Sequence, residues 1–212
     1  MNRLAHTHQF PPAMILAGGK SRRMGRNKAL MPLAGKALLT HVIDRLIPQT
    51  HSIALNIAQQ DHAWDPFNLP LYQDHIQGQL GPLAGILTGL LYAKAQGGDW
   101  VLIAPCDTPF LPHDLVARLY QARQHEPCDI LLCASGGRTH PVVGLWNTKL
   151  CTPLEQALTK DNIRKIEAFT ALHHTRYVDF EDIAIGDHVI DPFTNLNRPE
   201  DAEAHSDLLN FI

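Results

Sequence analysis

The chain has 212 residues, of which 45% are hydrophobic and 18% charged, with a formal net charge of −3. That length buries about 70% of the unfolded surface in one domain, and that composition excludes a disordered chain. The slight negative charge excludes a generic nucleic-acid binder, which depends on bulk positive potential. No apolar run approaches the ~20 residues of a membrane span, and the apolar stretch before Gly18 is too short for a signal peptide, so a cytoplasmic protein is expected. Cys106, Cys128, Cys133 and Cys151 form no C-x-x-C pair and no zinc spacing and read as reduced, mostly buried thiols. The 13 histidines are scattered, with His6 and His8 in the leading tail and His173-His174 beside a strand, and indicate no metal cluster.

In chain order, residues 1–12 read as a loose lead-in ending at Pro11-Pro12. Residues 13–17 are a continuous apolar run, as in a strand buried on both faces. The loop 18–28 follows, with adjacent Gly18 and Gly19, then Gly25, and five cations: Lys20, Arg22, Arg23, Arg26 and Lys28. A flexible cationic turn after an apolar strand brings backbone N–H groups against phosphates. Gly19-Lys20-Ser21 is not a P-loop, because the Walker pattern needs a glycine where Met14 stands. The dinucleotide pattern G-x-G-x-x-G fails as well, since its first two glycines would here be adjacent.

Leu38, Leu39, Val42, Ile43, Leu46 and Ile47 recur at helical spacing, and Pro48 ends that helix. Residues 51–58 are strand-like, 61–70 a polar connection with prolines, and 71–72 a short strand stopping at Asp74. A helix is predicted from the Gly81–Gly85 stretch to about Ala95. Residues 100–104 are a second buried strand, broken by Pro105-Cys106-Asp107-Thr108-Pro109. The remaining predictions are a helix over 115–122, strands at 130–133 and 139–146, a mostly helical stretch over 148–172, a strand at 176–180 and a terminal helix over 199–211.

This alternation predicts an α/β, Rossmann-like fold with a mostly parallel sheet flanked by helices on both faces, in one domain over residues 1–212. Right-handed crossovers bring the loops 18–28, 74–82 and 105–109 to the carboxyl edge of the sheet, where ligands of such folds bind. Residues 13–135 would therefore form the nucleotide-binding part. Asp107, held between two prolines at a strand end, suits a Mg²⁺ ligand, and equally suits the cap of the following helix. Lys28 can reach phosphates or a leaving pyrophosphate. Of the loop arginines Arg23 is preferred over Arg26 for the same work. Asn56 and Asp74, near strand ends, suit a base or ribose, or simply cap loops.

Leu16-Ala17-Gly18-Gly19 with Ser21, Arg23-Met24-Gly25 and Lys28 resembles the signature of nucleotidyltransferases that attach a nucleotide to molybdopterin. Gly81-Pro82-Leu83-Ala84-Gly85, the Pro105–Pro109 stretch, His140-Pro141 and Asn195-Leu196-Asn197-Arg198-Pro199-Glu200 resemble, in this order, the molybdenum cofactor guanylyltransferase family. The resemblance spans essentially the whole chain. It implies a fold of the nucleotide-diphospho-sugar transferase type and transfer of GMP from GTP to molybdopterin or Mo-molybdopterin, with release of pyrophosphate. By position it implies GTP-binding roles for Leu16, Ala17, Gly18, Lys28, Asn56, Asp74 and Asp107. Asp107, Lys28 and Arg23 would be catalytic, with Mg²⁺ as cofactor and Asp107 its ligand. Residues 136–212 become the pterin side, with Asn195, Asn197, Arg164 and Lys165 as candidates. Molybdenum-cofactor donor and acceptor proteins are implied as partners, and neither nucleic acid nor membrane.

There are two departures from the family pattern: Arg198 follows Asn197 where Thr is usual, and the loop between Gly25 and Lys28 is short. An ionised terminal phosphate attacking the α-phosphorus of GTP needs in-line positioning and charge neutralisation rather than a strong base. The alternatives are a related transferase using CTP or a sugar phosphate, and a non-catalytic GTP-binding module. Gly18-Gly19, where cytidylyl relatives tend to have Ala-Gly, and the Pro105–Pro109 stretch favour guanine.

Overall fold

The computed structural model describes residues 10–18, 27–78, 80–206 and 208. The predicted loop 18–28 is therefore described only at its ends, and the lead-in only from Phe10. The chain runs β1 (Pro12–Leu16), a 3₁₀ turn (Lys28–Leu30), the hairpin β2 (Pro32–Leu33) and β3 (Lys36–Ala37), α1 (Leu38–Leu46), β4 (Ser52–Asn56) and β5 (Leu71–Tyr72). It continues through α2 (Pro82–Ala95), β6 (Trp100–Pro105), α3 (Leu115–His125), β7 (Ile130–Ser135), β8 (Arg138–Asn147), α4 (Cys151–Thr159), α5 (Ile166–Thr170) and β9 (Thr175–Phe180). A second hairpin, β10 (Ile183–Ile185) and β11 (His188–Ile190), precedes α6 (Pro199–Ser206).

One seven-stranded sheet has the order β5-β4-β1-β6-β8-β7-β9. All neighbours pair in parallel except β8, which lies antiparallel to both β6 and β7. The exception has a local cause. Gly136 and Gly137 have φ of +52° and +75°, the left-handed pair of a tight hairpin turn, which leaves no length for a crossover.

Successive side chains of a strand face opposite sides, and both sides are covered here. Ala13, Ile15, Leu55, Leu102, Ala104, Leu131 and Leu145 pack with α1 and α3 residues such as Leu39, Val42, Leu115 and Leu119. Met14, Ala54, Val101, Ile103, Leu132 and Trp146 pack with α2, α4 and α5 through Ile86, Leu87, Leu90, Leu154 and Phe169. The predicted helix–sheet–helix layering is thus observed. α2 is apolar nearly all round because it is enclosed between the sheet and α4. Gly89 permits that approach: a Cβ there would lie 2.7 Å from Ile103 Cδ1 and 2.9 Å from Met14 Cβ.

Several segments differ from their sequence reading. The polar connection 61–70 contains a 3₁₀ helix, His62–Phe67, which Asp61 caps through Ala63 N–H and which buries Trp64. The helical stretch 148–172 is interrupted between α4 and α5, with Asn162 at φ +54°. Neither small hairpin shows in the hydrophobic pattern, since each spans only two or three residues per strand. Their apolar residues form a third cluster, in which Met31, Leu33 and Leu38 meet Phe110, Ile185, Ile190, Leu196 and Ala202. That cluster fastens the C-terminal segment beside the carboxyl edge of the sheet.

Candidate active site

The strand order reverses between β1 and β6, and the carboxyl ends of those strands open a crevice there. Leu16 ends β1, and its carbonyl accepts from Cys106 N–H at 3.2 Å, while Ala17 N–H donates to Asn56 O at 2.8 Å. These bonds carry the Leu16–Gly18 backbone out between the ends of β4 and β6. Gly18 is closely bounded: a Cβ there would lie 3.1 Å from Ala58 N. The residues 19–26, with Arg23, lie outside the described residues.

Where the chain is described again, the Asn27 carboxamide accepts from Ala29 N–H at 3.1 Å and caps the short 3₁₀ turn that presents Lys28. The Lys28 ammonium donates to Asp107 Oδ2 and to Asn197 Oδ1. Three segments far apart in sequence are thereby joined at one nitrogen. Asp107 follows β6 and its backbone carbonyl accepts from Leu196 N–H at 3.0 Å. The capping alternative for Asp107 is not what is observed. Asp114 stands at the N-terminus of α3, and Asp107 Oδ1 is buried without a hydrogen-bond partner among the described residues.

On the β4–β5 side, Asn56 is buried and donates from Nδ2 to Asp74 Oδ1 at 3.0 Å and to Tyr72 O at 3.4 Å. Burial raises the Asp74 pKa above its ordinary value, and the Asn56 hydrogen bond partly offsets that. Gly85 of α2 closes the same corner, since a Cβ there would sit 2.6 Å from Asn56 Oδ1 and 2.9 Å from Leu16 Cδ2. Gly81, at φ +80°, turns the chain into α2 with Pro82 at its first position, so an uncapped helix N-terminus faces the crevice, a placement that favours anions. The Cys106 thiol, next to Asp107, is pushed up to about 12 by burial and secondarily by the Asp107 charge, and is inert at neutral pH. All four cysteines are free and buried.

Of the pterin-side candidates, Asn197 accepts from Lys28 through its Oδ1, and its Nδ2 donates to the Asn195 carbonyl at 3.4 Å. Arg164 and Lys165 are placed differently. The Arg164 guanidinium donates to Leu158 O at 2.6 Å and Ile163 O at 3.3 Å, while its own carbonyl borders Gly81. Lys165 is exposed at the start of α5. No hydrogen bond or ion pair among the described residues joins either side chain to Lys28, Asp107 or Asn197. Arg198 stands at the N-cap of α6, its carbonyl accepting from Asp201 and Ala202 N–H. Its N–H and that of Asn197 both donate to Asp201 Oδ2 at 2.9 Å. Residue reading overlooked Asn27 and Gly85 as site-shaping groups. Asn27 is followed by the charged Lys28 and so is a weak cap signal, and the tight fit at Gly85 exists only across elements.

No group of three or more His, Cys, Asp or Glu that could hold a metal ion occurs among the described residues. A single carboxylate with an unpartnered buried oxygen, beside a phosphate-type loop, fits a hard cation that takes its other ligands from substrate phosphates and water. No helix among the described residues is long and apolar enough to cross a membrane.

A mostly parallel sheet with helices on both faces and a crevice at its switch point defines a doubly wound α/β protein, and solved structures share this fold. A molybdopterin-guanine dinucleotide biosynthesis protein A from Archaeoglobus fulgidus superposes with a TM-score of 0.71 over 95% of this chain and 100% of its own, at 20% identity. A 4-diphosphocytidyl-2C-methyl-D-erythritol synthase from Anaerococcus prevotii gives 0.69 over 95% and 96%, at 13% identity. Residues 13–176 match the family of MobA-like NTP transferase domains, and the chain belongs to that family. Among similar proteins, a molybdenum cofactor guanylyltransferase of Rhodopseudomonas palustris strain BisB5 is 46% identical, covering 93% of each chain. One from Rhizobium meliloti strain 1021 is 42% identical over 91% of this chain and 88% of its own.

Proposed function

We propose that the protein transfers GMP from GTP to molybdopterin or Mo-molybdopterin, forming molybdopterin guanine dinucleotide and releasing pyrophosphate. The observation that carries this reading is the meeting of Lys28, Asp107 and Asn197 at the β1/β6 switch point, in a chain 46% identical to a protein named for that activity. In the step itself, an oxygen of the molybdopterin phosphate forms a bond to the α-phosphorus of GTP. The bond from that phosphorus to the bridging oxygen of the β-phosphate breaks, and pyrophosphate leaves with the electron pair. The nucleophile is already ionised, so the protein's task is to align two anions and to offset charge on the leaving group.

Each residue takes a part suited to its position. The backbone at Leu16, Ala17 and Gly18 lines the crevice floor for the nucleotide. Asn56 and Asp74 form a joined polar pair that suits the guanine or ribose. Lys28, with three donors on a compact charge, is assigned to the phosphates and the departing pyrophosphate, and Arg23 to the same anions. Asp107 would hold Mg²⁺, which when bound supplies positive charge to the phosphate oxygens. Residues 13–135 are assigned to the nucleotide and residues 136–212 to the pterin, within one domain. Asn195 and Asn197 are assigned to the second substrate, with Arg164 and Lys165 as further candidates for its anionic groups. Cytoplasmic donor and acceptor proteins for the molybdenum cofactor complete the reading.

The test is incubation with molybdopterin, Mg²⁺ and either GTP or CTP, following pyrophosphate release and the dinucleotide product. GTP-dependent release is expected. Turnover with CTP in preference to GTP overturns the choice of base, and GTP bound without any pyrophosphate released leaves a binding module.

A further inference from the structure

A hydrogen-bonded group lies at the same sheet edge without a part in the reading above. Ser135 is fully buried at the end of β7, and its hydroxyl donates to Asp191 Oδ1 at 2.8 Å. The same oxygen lies 2.6 Å from His140 Nε2 on β8. A hydroxyl has one proton, so with that proton on Asp191 the imidazole must donate from Nε2. Burial, opposed by Asp191 and helped by Arg138, lowers the His140 pKa and so favours the neutral ring. The order of donation runs from His140 through Ser135 to Asp191. This is the reverse of an activated serine, whose proton would pass to the histidine.

Asp191 begins a segment that ends at the active site. Its Oδ1 also accepts from Phe193 N–H at 2.8 Å, and its carbonyl from Thr194 N–H at 3.0 Å. Phe193 packs on the His140 ring at 4.6 Å and edge-on against Phe180 at 5.3 Å. Five and six residues past Asp191, Leu196 N–H holds the Asp107 carbonyl and Asn197 Oδ1 holds the Lys28 ammonium. One end of segment 191–197 is thus locked by His140 and Ser135, and the other carries a direct partner of Lys28.

We propose that His140 is a positioning residue: through Ser135 and Asp191 it locks segment 191–197, and thereby sets Asn197 against Lys28. The effect on catalysis rests on the function proposed above, whereas the lock itself does not. In His140→Ala, amide hydrogen exchange at Thr194 and Leu196 should accelerate about tenfold or more, while amides of β1 and β6 keep their protection. Turnover should fall about tenfold at little change in the KM for GTP. His140→Gln, whose amide nitrogen can donate to Ser135 Oγ, should restore both readouts, and His140→Asn, too short, should not. Ser135→Ala should reproduce the faster exchange if His140→Ala does not fold. In the double variant His140→Ala/Asn197→Ala, turnover should be no lower than in Asn197→Ala by more than about twofold. Unchanged exchange across 192–197 in folded His140→Ala overturns the lock, and multiplicative losses in the double variant overturn its action through Asn197. Wild-type protein that transfers no GMP would remove the proposed function while leaving the exchange result to decide the lock.

Discussion

Asp107 and Lys28 hold each other through opposite charges in a half-buried crevice, so substitutions at either separate chemistry from folding. Asp107→Asn keeps the size of the side chain but removes the charge by which Asp107 is proposed to hold a divalent cation. Metal-dependent turnover is expected to fall by about 10²–10³ with the melting temperature little changed, as measured by steady-state pyrophosphate release beside a thermal melt. Lys28→Ala should lower kcat about 100-fold, more than it raises the KM for GTP, because in its proposed role the charge to be offset is largest on the leaving pyrophosphate. A third residue acts through space alone. Alanine at Gly85 gains about 0.5–1 kcal/mol of helix propensity, but its Cβ would meet Asn56 Oδ1 and Leu16 Cδ2 inside contact distance, an overpacking cost of about 1–3 kcal/mol. The least costly relief turns Asn56 away from Asp74. A modest stability loss is therefore expected with a larger rise in the KM for GTP, read by melting and by initial rates.

Elements differ in how openly their sequence announces them. The strands β1 and β6 are continuous apolar runs and α1 has a clean helical period, so each was legible in isolation. The 3₁₀ helix His62–Phe67 was not, because its one buried anchor, Trp64, sits among polar residues and Pro66. The hairpins β2–β3 and β10–β11 are too short for alternation to be seen, and their apolar residues make sense only against Phe110 and Leu196. α6 shows how a local departure acts at this scale. Arg198 at its N-cap has no side-chain acceptor for the first-turn N–H groups, although Asp201 reaches back to the Arg198 N–H, which is half of a capping box. Arg198→Thr supplies the other half. A gain of about 0.5–1 kcal/mol is expected, seen as a rise of roughly 1–4 °C in melting temperature.

For the whole molecule, three histidines couple stability to pH. Burial lowers the pKa of His113, with Arg45 adding to it and Asp114 opposing. Burial likewise lowers those of His140 and of His173. Below 6.5 the unfolded chain binds protons that the folded chain resists binding, so stability rises with pH in that window. The contribution is complete above 6.5 and is lost as pH falls from there through the lowered folded values. Thermal melts should therefore show a decline beginning near 6.5, before the carboxylates protonate, and the triple variant His113→Gln/His140→Gln/His173→Gln should flatten it. By itself the sequence determined the α/β layering, the edge at which the loops converge and the identity of Asp107, Lys28, Asn56 and Asp74 as candidates. It could do so because strand and helix periods are local properties, and because crossover handedness turns their order into a common edge. Only the tertiary structure decided that Lys28 closes on Asp107 and Asn197, that β8 runs antiparallel, and that the Arg164 guanidinium donates to the Leu158 and Ile163 carbonyls. Those outcomes depend on contacts between residues up to 169 positions apart, whose geometry no local period encodes.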